Sequence, residues 1–174
     1  MGTLALVESR VATRYPDLTH YSKKPLGKIR SVRQQRDPSD KPLGLWVSDD
    51  TEYGGEAMGW PHWCEAESFA LDRLRHRQVV SLAAPERLLW LGSVSEIDEF
   101  HREFSEPLVR TYRVIRWDRV AEKWAGIVIT PYQWARRLDG NARWYYGWDC
   151  ASGCIWDPSV IASIDALPSE AGHG

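Results

Sequence analysis

The chain has 174 residues, 43% of them hydrophobic and 26% charged, with a formal net charge of −2. That is the composition of one soluble globular domain long enough to bury a core, and no run of eighteen apolar residues is present to cross a membrane. The charge balance by itself neither calls for a nucleic-acid partner nor excludes one.

The three cysteines, Cys64, Cys150 and Cys154, are an odd number, and Met1 to Glu8 has no basic n-region or long apolar stretch. Both features point away from a secreted disulfide framework and toward a cytoplasmic protein.

In chain order, residues 1–17 read as a peripheral N-terminal arm, in which Leu4, Leu6, Val7 and Val11 suit a short helix. Leu18 to Ser22 is a short β-prone run. Residues 23–41 are basic and carry Pro25, Gly27 and Pro38, which predicts a long loop with room for a short helix. Gly44 to Ser48, apolar and aromatic, predicts a strand. Asp49 to Gly59 reads as an acidic, glycine-rich loop. Pro61 suits the first turn of a helix bearing Trp63, Cys64, Phe69 and Leu71.

Val79 to Leu82 and Leu88 to Leu91 predict two strands separated by Pro85. Ser95 to Asp98 fits a variant capping box, with Ile97, Phe100, His101 and Phe104 on one helical face. Trp117, Val120, Ala121 and Trp124 share another. Ala125 to Thr130 predicts a strand stopped by Pro131. Arg143 to Trp148 and Gly153 to Trp156 read as two more, and Asp157-Pro158 opens a short turn. Residues 18–161 therefore form one α+β domain, and 162–174 a flexible tail that is small and polar from Pro168 onward.

Charge is uneven along this plan. Lys23, Lys24, Lys28, Arg30, Arg33, Arg36 and Lys41 crowd one segment, and Asp49, Asp50, Glu52, Glu56, Glu65 and Glu67 the next. They read either as two solvated loops or as a basic rim beside a pocket, suited to phosphates. Neither a dinucleotide-binding G-x-G-x-x-G after a strand nor a phosphate-loop motif is present.

Three constellations can carry chemistry. His62, Cys64, Cys150 and Cys154 can supply four zinc ligands for a small interaction domain. Cys64 beside His62, or Cys150 after Asp149, can act as a thiol nucleophile if a base activates it. The third is a pocket built from His20, the Gly44 to Ser48 strand and the last strands. Aromatic faces and small residues suit a flat, hydroxyl-rich ligand such as a nucleotide. The plain structural reading of the same residues is a loop histidine, a turn aspartate and core aromatics.

The third constellation carries a family resemblance. Thr19-His20-Tyr21, then Gly44-Leu45-Trp46-Val47-Ser48-Asp49, then Ala125-Gly126-Ile127, and finally Ser152-Gly153-Cys154-Ile155-Trp156-Asp157-Pro158 resemble the strand plan of ADP-ribosyltransferases of the diphtheria-toxin and poly(ADP-ribose) polymerase type. The resemblance runs through residues 18–161. It implies a split, mostly antiparallel central sheet with peripheral helices, and NAD as substrate. It implies that ADP-ribose is moved to a protein or nucleic-acid acceptor, or to water. His20 matches the histidine that holds the NAD ribose. Trp46 stands where the family's second strand presents an aromatic to nicotinamide, between Gly44 and Ser48. Tyr21 and Tyr145 add ring surface. Aligned on Trp156-Asp157-Pro158, the family's catalytic glutamate falls on Ser152. Either Asp149 supplies the carboxylate, or the chain is a divergent member that binds a nucleotide or a protein without transfer. The implied catalytic set is thus His20, Asp149 and Ser152.

Overall fold

The computed structural model describes residues 15–35, 41–109 and 112–168. The expected arm up to residue 14 and the expected tail from residue 169 lie outside the described residues. The fold is α+β, with eleven strands among the described residues, seven of them in one curled sheet.

The sheet is built from β1 (Leu18–Ser22), β2 (Leu45–Asp49), β5 (His76–Leu82), β6 (Leu88–Leu91), β9 (Gly126–Ile129), β10 (Ser152–Ile155) and β11 (Ile161–Ala166). Their spatial order is β11-β5-β1-β2-β10-β9-β6, antiparallel throughout except for the parallel β6–β9 pair. Two small hairpins stand apart, β3 (Glu52–Tyr53) with β4 (Glu56–Ala57), and β7 (Ser105–Val109) with β8 (Tyr112–Ile115). Among the described residues four short helices lie around the sheet: α1 (Trp60–Ala66), α2 (Val94–Phe104), α3 (Trp117–Ala121) and α4 (Trp134–Arg137).

The central strands are apolar on successive residues because both faces of the sheet are covered. On one face Ile127, Ile129 and Cys154 pack with Phe100, Phe104, Trp117, Trp144 and Trp148. On the other, Leu45, Val47, Val128 and Ile155 pack with Leu18, Val80 and Val160. Aromatic pairs knit the first core, among them Phe100 with Trp144 at 5.2 Å and Trp117 with Trp148 at 6.1 Å. Each such pair contributes ~0.5–1.5 kcal/mol beyond the area it buries.

Several expected elements differ in detail. Arg143 to Trp148 is not a strand but part of a 3-10 stretch, Gly140–Gly147. Alternation would bury Trp144, Tyr146 and Trp148 together, yet Trp144 and Tyr145 are fully buried while Tyr146 is 55% exposed. A helical turn carries Trp144, Tyr145 and Trp148 toward the core and leaves Tyr146 outside. The expected tail is ordered at residues 162–166, where β11 pairs with β5 from Ile161↔Leu82 to Ala166↔Gln78. Its apolar residues are too sparse to signal a strand, and backbone pairing supplies the order. The capping box on α2 is Ser93 with Glu96, two residues earlier than expected: the Ser93 hydroxyl accepts from the Glu96 amide at 3.3 Å. The helix at Pro61 ends at Ala66, leaving Phe69 and Leu71 about half exposed outside it.

Candidate functional site

The central sheet opens at one place. β1 and β2 pair only through Leu18↔Asp49 and Thr19↔Ser48, whereas β1 pairs with β5 along its whole length. Beyond Thr19 the two strands part. The gap is bridged by the His20 ring, whose Nδ1 lies 2.7 Å from the Trp46 carbonyl oxygen. A carbonyl only accepts, so Nδ1 carries the proton. Burial holds the His20 pKa below its ordinary value against the opposing pull of that hydrogen bond. The ring is therefore neutral at pH 7, with Nε2 as its acceptor atom.

A cleft of about 480 Å³ lies at this opening. That volume suits a nucleotide-sized ligand. His20, Tyr21, Trp46, Ser48, Asp149 and Ser152 all line it, as does Gly44. Residues far apart in sequence meet here because β10 pairs with β2, Ser152↔Ser48 to Ile155↔Leu45.

Tyr21 and Ser48 belong to one polar network. Tyr21 Oη donates to Asp50 Oδ2 at 2.7 Å, Ser48 Oγ donates to Asp50 Oδ1 at 2.6 Å, and the Trp60 amide donates to Ser48 Oγ at 2.7 Å. Burial and the neighbouring carboxylate push the Tyr21 phenol up, so it stays a donor. The network ties the start of α1 to β1 and β2 and fixes the Trp60 side of the cleft. Asp49, fully buried, points elsewhere: it accepts from Tyr53 Oη, Thr130 Oγ1 and the Thr51 amide, pinning the β3–β4 turn to the end of β9.

The aromatic wall is Trp46 against Trp148, ring centroids 5.0 Å apart, with Lys41 Nζ 5.3 Å from the Trp46 ring. Asp149 sits at the mouth between two cations, Lys41 Nζ at 3.9 Å and Arg137 Nη2 at 3.7 Å. Both separations exceed hydrogen-bond length, so these are loose ion pairs that a ligand can displace.

Two expected site residues are placed differently. Tyr145 is core: it is fully buried, stacks on Tyr132 at 5.3 Å, and its hydroxyl accepts from the Gln133 amide. It does not line the cleft. Ser152 lines it but is 5% exposed, and its hydroxyl donates to the Cys150 carbonyl at 3.0 Å. A serine so engaged is a wall residue. The glycines serve the sheet more than a ligand. A Cβ on Gly44, where φ is 154°, would lie 2.4 Å from the Ile155 oxygen, and one on Gly153 would lie 2.5 Å from the Ile127 oxygen. Gly147 gives room to Lys41.

The cysteine constellations do not assemble. No group of three or more His, Cys, Asp or Glu side chains among the described residues is arranged to hold a metal ion. All three cysteines are free and buried. Burial pushes the Cys64 thiol up to about 11 and the Cys150 thiol up to about 12, the reverse of an activated nucleophile.

Trp60 and Arg73 also line the cleft and were not expected there, as does Trp148. Arg73 arrives through a 3-10 turn, Leu71–Leu74, that no periodicity announces. Lys41 was legible as the end of a basic run that leads into the Gly44 to Ser48 strand. Trp148 was legible as the end of the aromatic run from Arg143, but not its orientation.

No protein-family model matches this chain, and neither a curated protein nor a solved structure is significantly similar to it.

Proposed function

We propose that the cleft binds NAD and that the chain transfers ADP-ribose from it to an acceptor. The observation that carries this reading is the meeting of His20, Trp46 and Asp149 at the place where β1 and β2 part. The four segments of the resemblance lie on β1, β2, β9 and β10, with Asp149 just before β10, and these four strands are consecutive in the sheet.

The chemistry follows from what each group can do. The Trp46 ring offers a stacking face for nicotinamide. Neutral His20 accepts a hydrogen bond from a ribose hydroxyl at Nε2 while Nδ1 keeps donating to the Trp46 carbonyl. Lys41 and Arg73 offer positive charge to the pyrophosphate. In the reaction the bond between nicotinamide nitrogen and ribose C1′ breaks, and its electron pair leaves on nicotinamide. C1′ passes through an oxocarbenium-like state, and the Asp149 carboxylate stabilises that positive charge. The acceptor's lone pair then bonds to C1′, and its proton goes to solvent.

Incubation with NAD tests the reading. Nicotinamide release or ADP-ribose transfer, together with a change in tryptophan fluorescence on NAD addition, is the expected result. If none of the three appears, the reading fails. A second reading, a binding module without transfer, is favoured by Ser152 at the family's acid position on β10 and by the two cations beside Asp149. Under it, NAD or another nucleotide binds, no nicotinamide is released, and Asp149→Ala leaves ligand binding unchanged.

A further inference from the structure

The loop between β1 and β2 carries five cations and no acid over residues 23–35, in a protein whose net charge is −2. Among the described residues only Lys23 of the five has an ion-pair partner, Asp72. Lys24, Lys28, Arg30 and Arg33 are exposed. This loop is held in place at the cleft. Leu26 lines the cavity, and the Val32 amide donates to the Trp156 carbonyl at 2.9 Å. The buried Gln34 side chain donates to the Leu43 carbonyl at 2.6 Å and accepts from the Leu43 amide at 3.0 Å, one residue before Gly44. The exposed acids Glu52, Glu56, Glu65 and Glu67 sit on other elements, β3, β4 and α1 with its C-terminal cap.

A second feature reaches the same cleft through Asp149. The Arg137 guanidinium, 3.7 Å from that carboxylate, lies 5.6 Å from the Trp134 ring and 5.8 Å from the Tyr146 ring. Both rings are more than half exposed, at 58% and 55%. Exposed rings around a guanidinium and a cationic loop, both reaching one cleft through Asp149 and Leu26, are what single-stranded nucleic acid needs: cations follow the phosphates, and rings take unstacked bases.

We propose that single-stranded nucleic acid is the macromolecular partner of this cleft, its backbone lying along residues 24–33 and a base stacking at Trp134 and Tyr146. Resting on the NAD reading above, that base is the acceptor. A nucleobase nitrogen bonds to ribose C1′, nicotinamide leaves with the electron pair of the broken bond, and the displaced proton goes to solvent.

The binding half is tested without NAD, so it stands or falls separately. Fluorescence anisotropy with labelled single-stranded DNA and RNA oligonucleotides across a salt series is the measurement. Binding by the full chain should weaken steeply with salt. The variant K24Q/K28Q/R30Q/R33Q should lose roughly tenfold or more in affinity, and its log–log salt slope should become shallower by about 3. It should release nicotinamide from NAD at the unaltered rate. Trp134→Ala with Tyr146→Ala should weaken binding with the salt slope unchanged. The DNA and RNA arms show which strand is preferred. Three results overturn the proposal: no oligonucleotide binding at low salt, identical binding by the four-site variant, or equal competition by poly-glutamate, which would assign the surface to acidic proteins. Nicotinamide release alongside any of these leaves the NAD reading intact.

Discussion

At the residue scale, the cleft is governed by protonation and by the direction of single hydrogen bonds. His20 donates at Nδ1 to the Trp46 carbonyl, whereas His101 accepts at Nδ1 from Trp144 Nε1 at 3.2 Å. Burial lowers the pKa of both, with Arg113 also lowering that of His101. The unfolded chain therefore takes up these two protons at higher pH than the folded one. Their contribution to stability is present above about 6.5 and is lost as pH falls through the folded values. Denaturant unfolding at pH 7 and pH 5 should show lower stability at pH 5. The double substitution His20→Asn, His101→Asn should flatten that difference, and an unaltered pH slope would refute the assignment. Within the cleft, Trp46→Ala removes a stacking face worth ~1–3 kcal/mol to a bound ring system. NAD titration should show roughly tenfold weaker binding, largely recovered by Trp46→Phe. Asp149→Asn keeps the shape and removes the charge. Under the proposed NAD reading, turnover should fall by about a hundredfold or more while NAD affinity changes little, because there the charge would act mainly in the transition state. Parallel losses in both would assign Asp149 to ground-state binding.

At the element scale, two features set where side chains point. The first is the start of α2. Ser93 caps the Glu96 amide, and Glu96 Oε2 accepts from the Gly92 amide at 2.8 Å and from Ser93 Oγ at 2.9 Å. Ser93→Ala should therefore cost about 1 kcal/mol in chemical denaturation, and Ser95→Ala only a few tenths. Equal costs would contradict the observed register. The second is the close approach of β10 to β9. A Cβ on Gly153 would meet the Ile127 oxygen and, at 2.8 Å, Val128 Cγ2. Gly153→Ala should destabilise by ~1–3 kcal/mol, since backbone oxygen cannot move aside as a flexible side chain can. The melting temperature of that variant is the check. Strands β1, β2, β5, β6, β9 and β10 were legible as apolar β-prone runs bounded by glycine and proline. The β7–β8 hairpin was not. Glu106, Pro107 and Arg113 interrupt any alternation, and the pairing is held partly by Arg113 donating to Ser105 Oγ and its carbonyl.

At the scale of the whole molecule, the sheet is closely packed on both faces and opens on one side, between β1 and β2. The local parting of β1 from β2 places His20, Trp46 and Asp149 on one cleft. Composition and the apolar runs sufficed for the α+β class and for most central strands. Strand identity depends on local chain preferences that sequence displays directly. Tertiary structure alone decided that Tyr145 is core, that Ser152 has its hydroxyl engaged, and that Arg73, Trp60 and Lys41 line the cleft. Those outcomes turn on side-chain direction in 3-10 stretches and on register between strands a hundred residues apart. A one-residue change in either moves a group from cavity to core, and nothing in the local sequence records it.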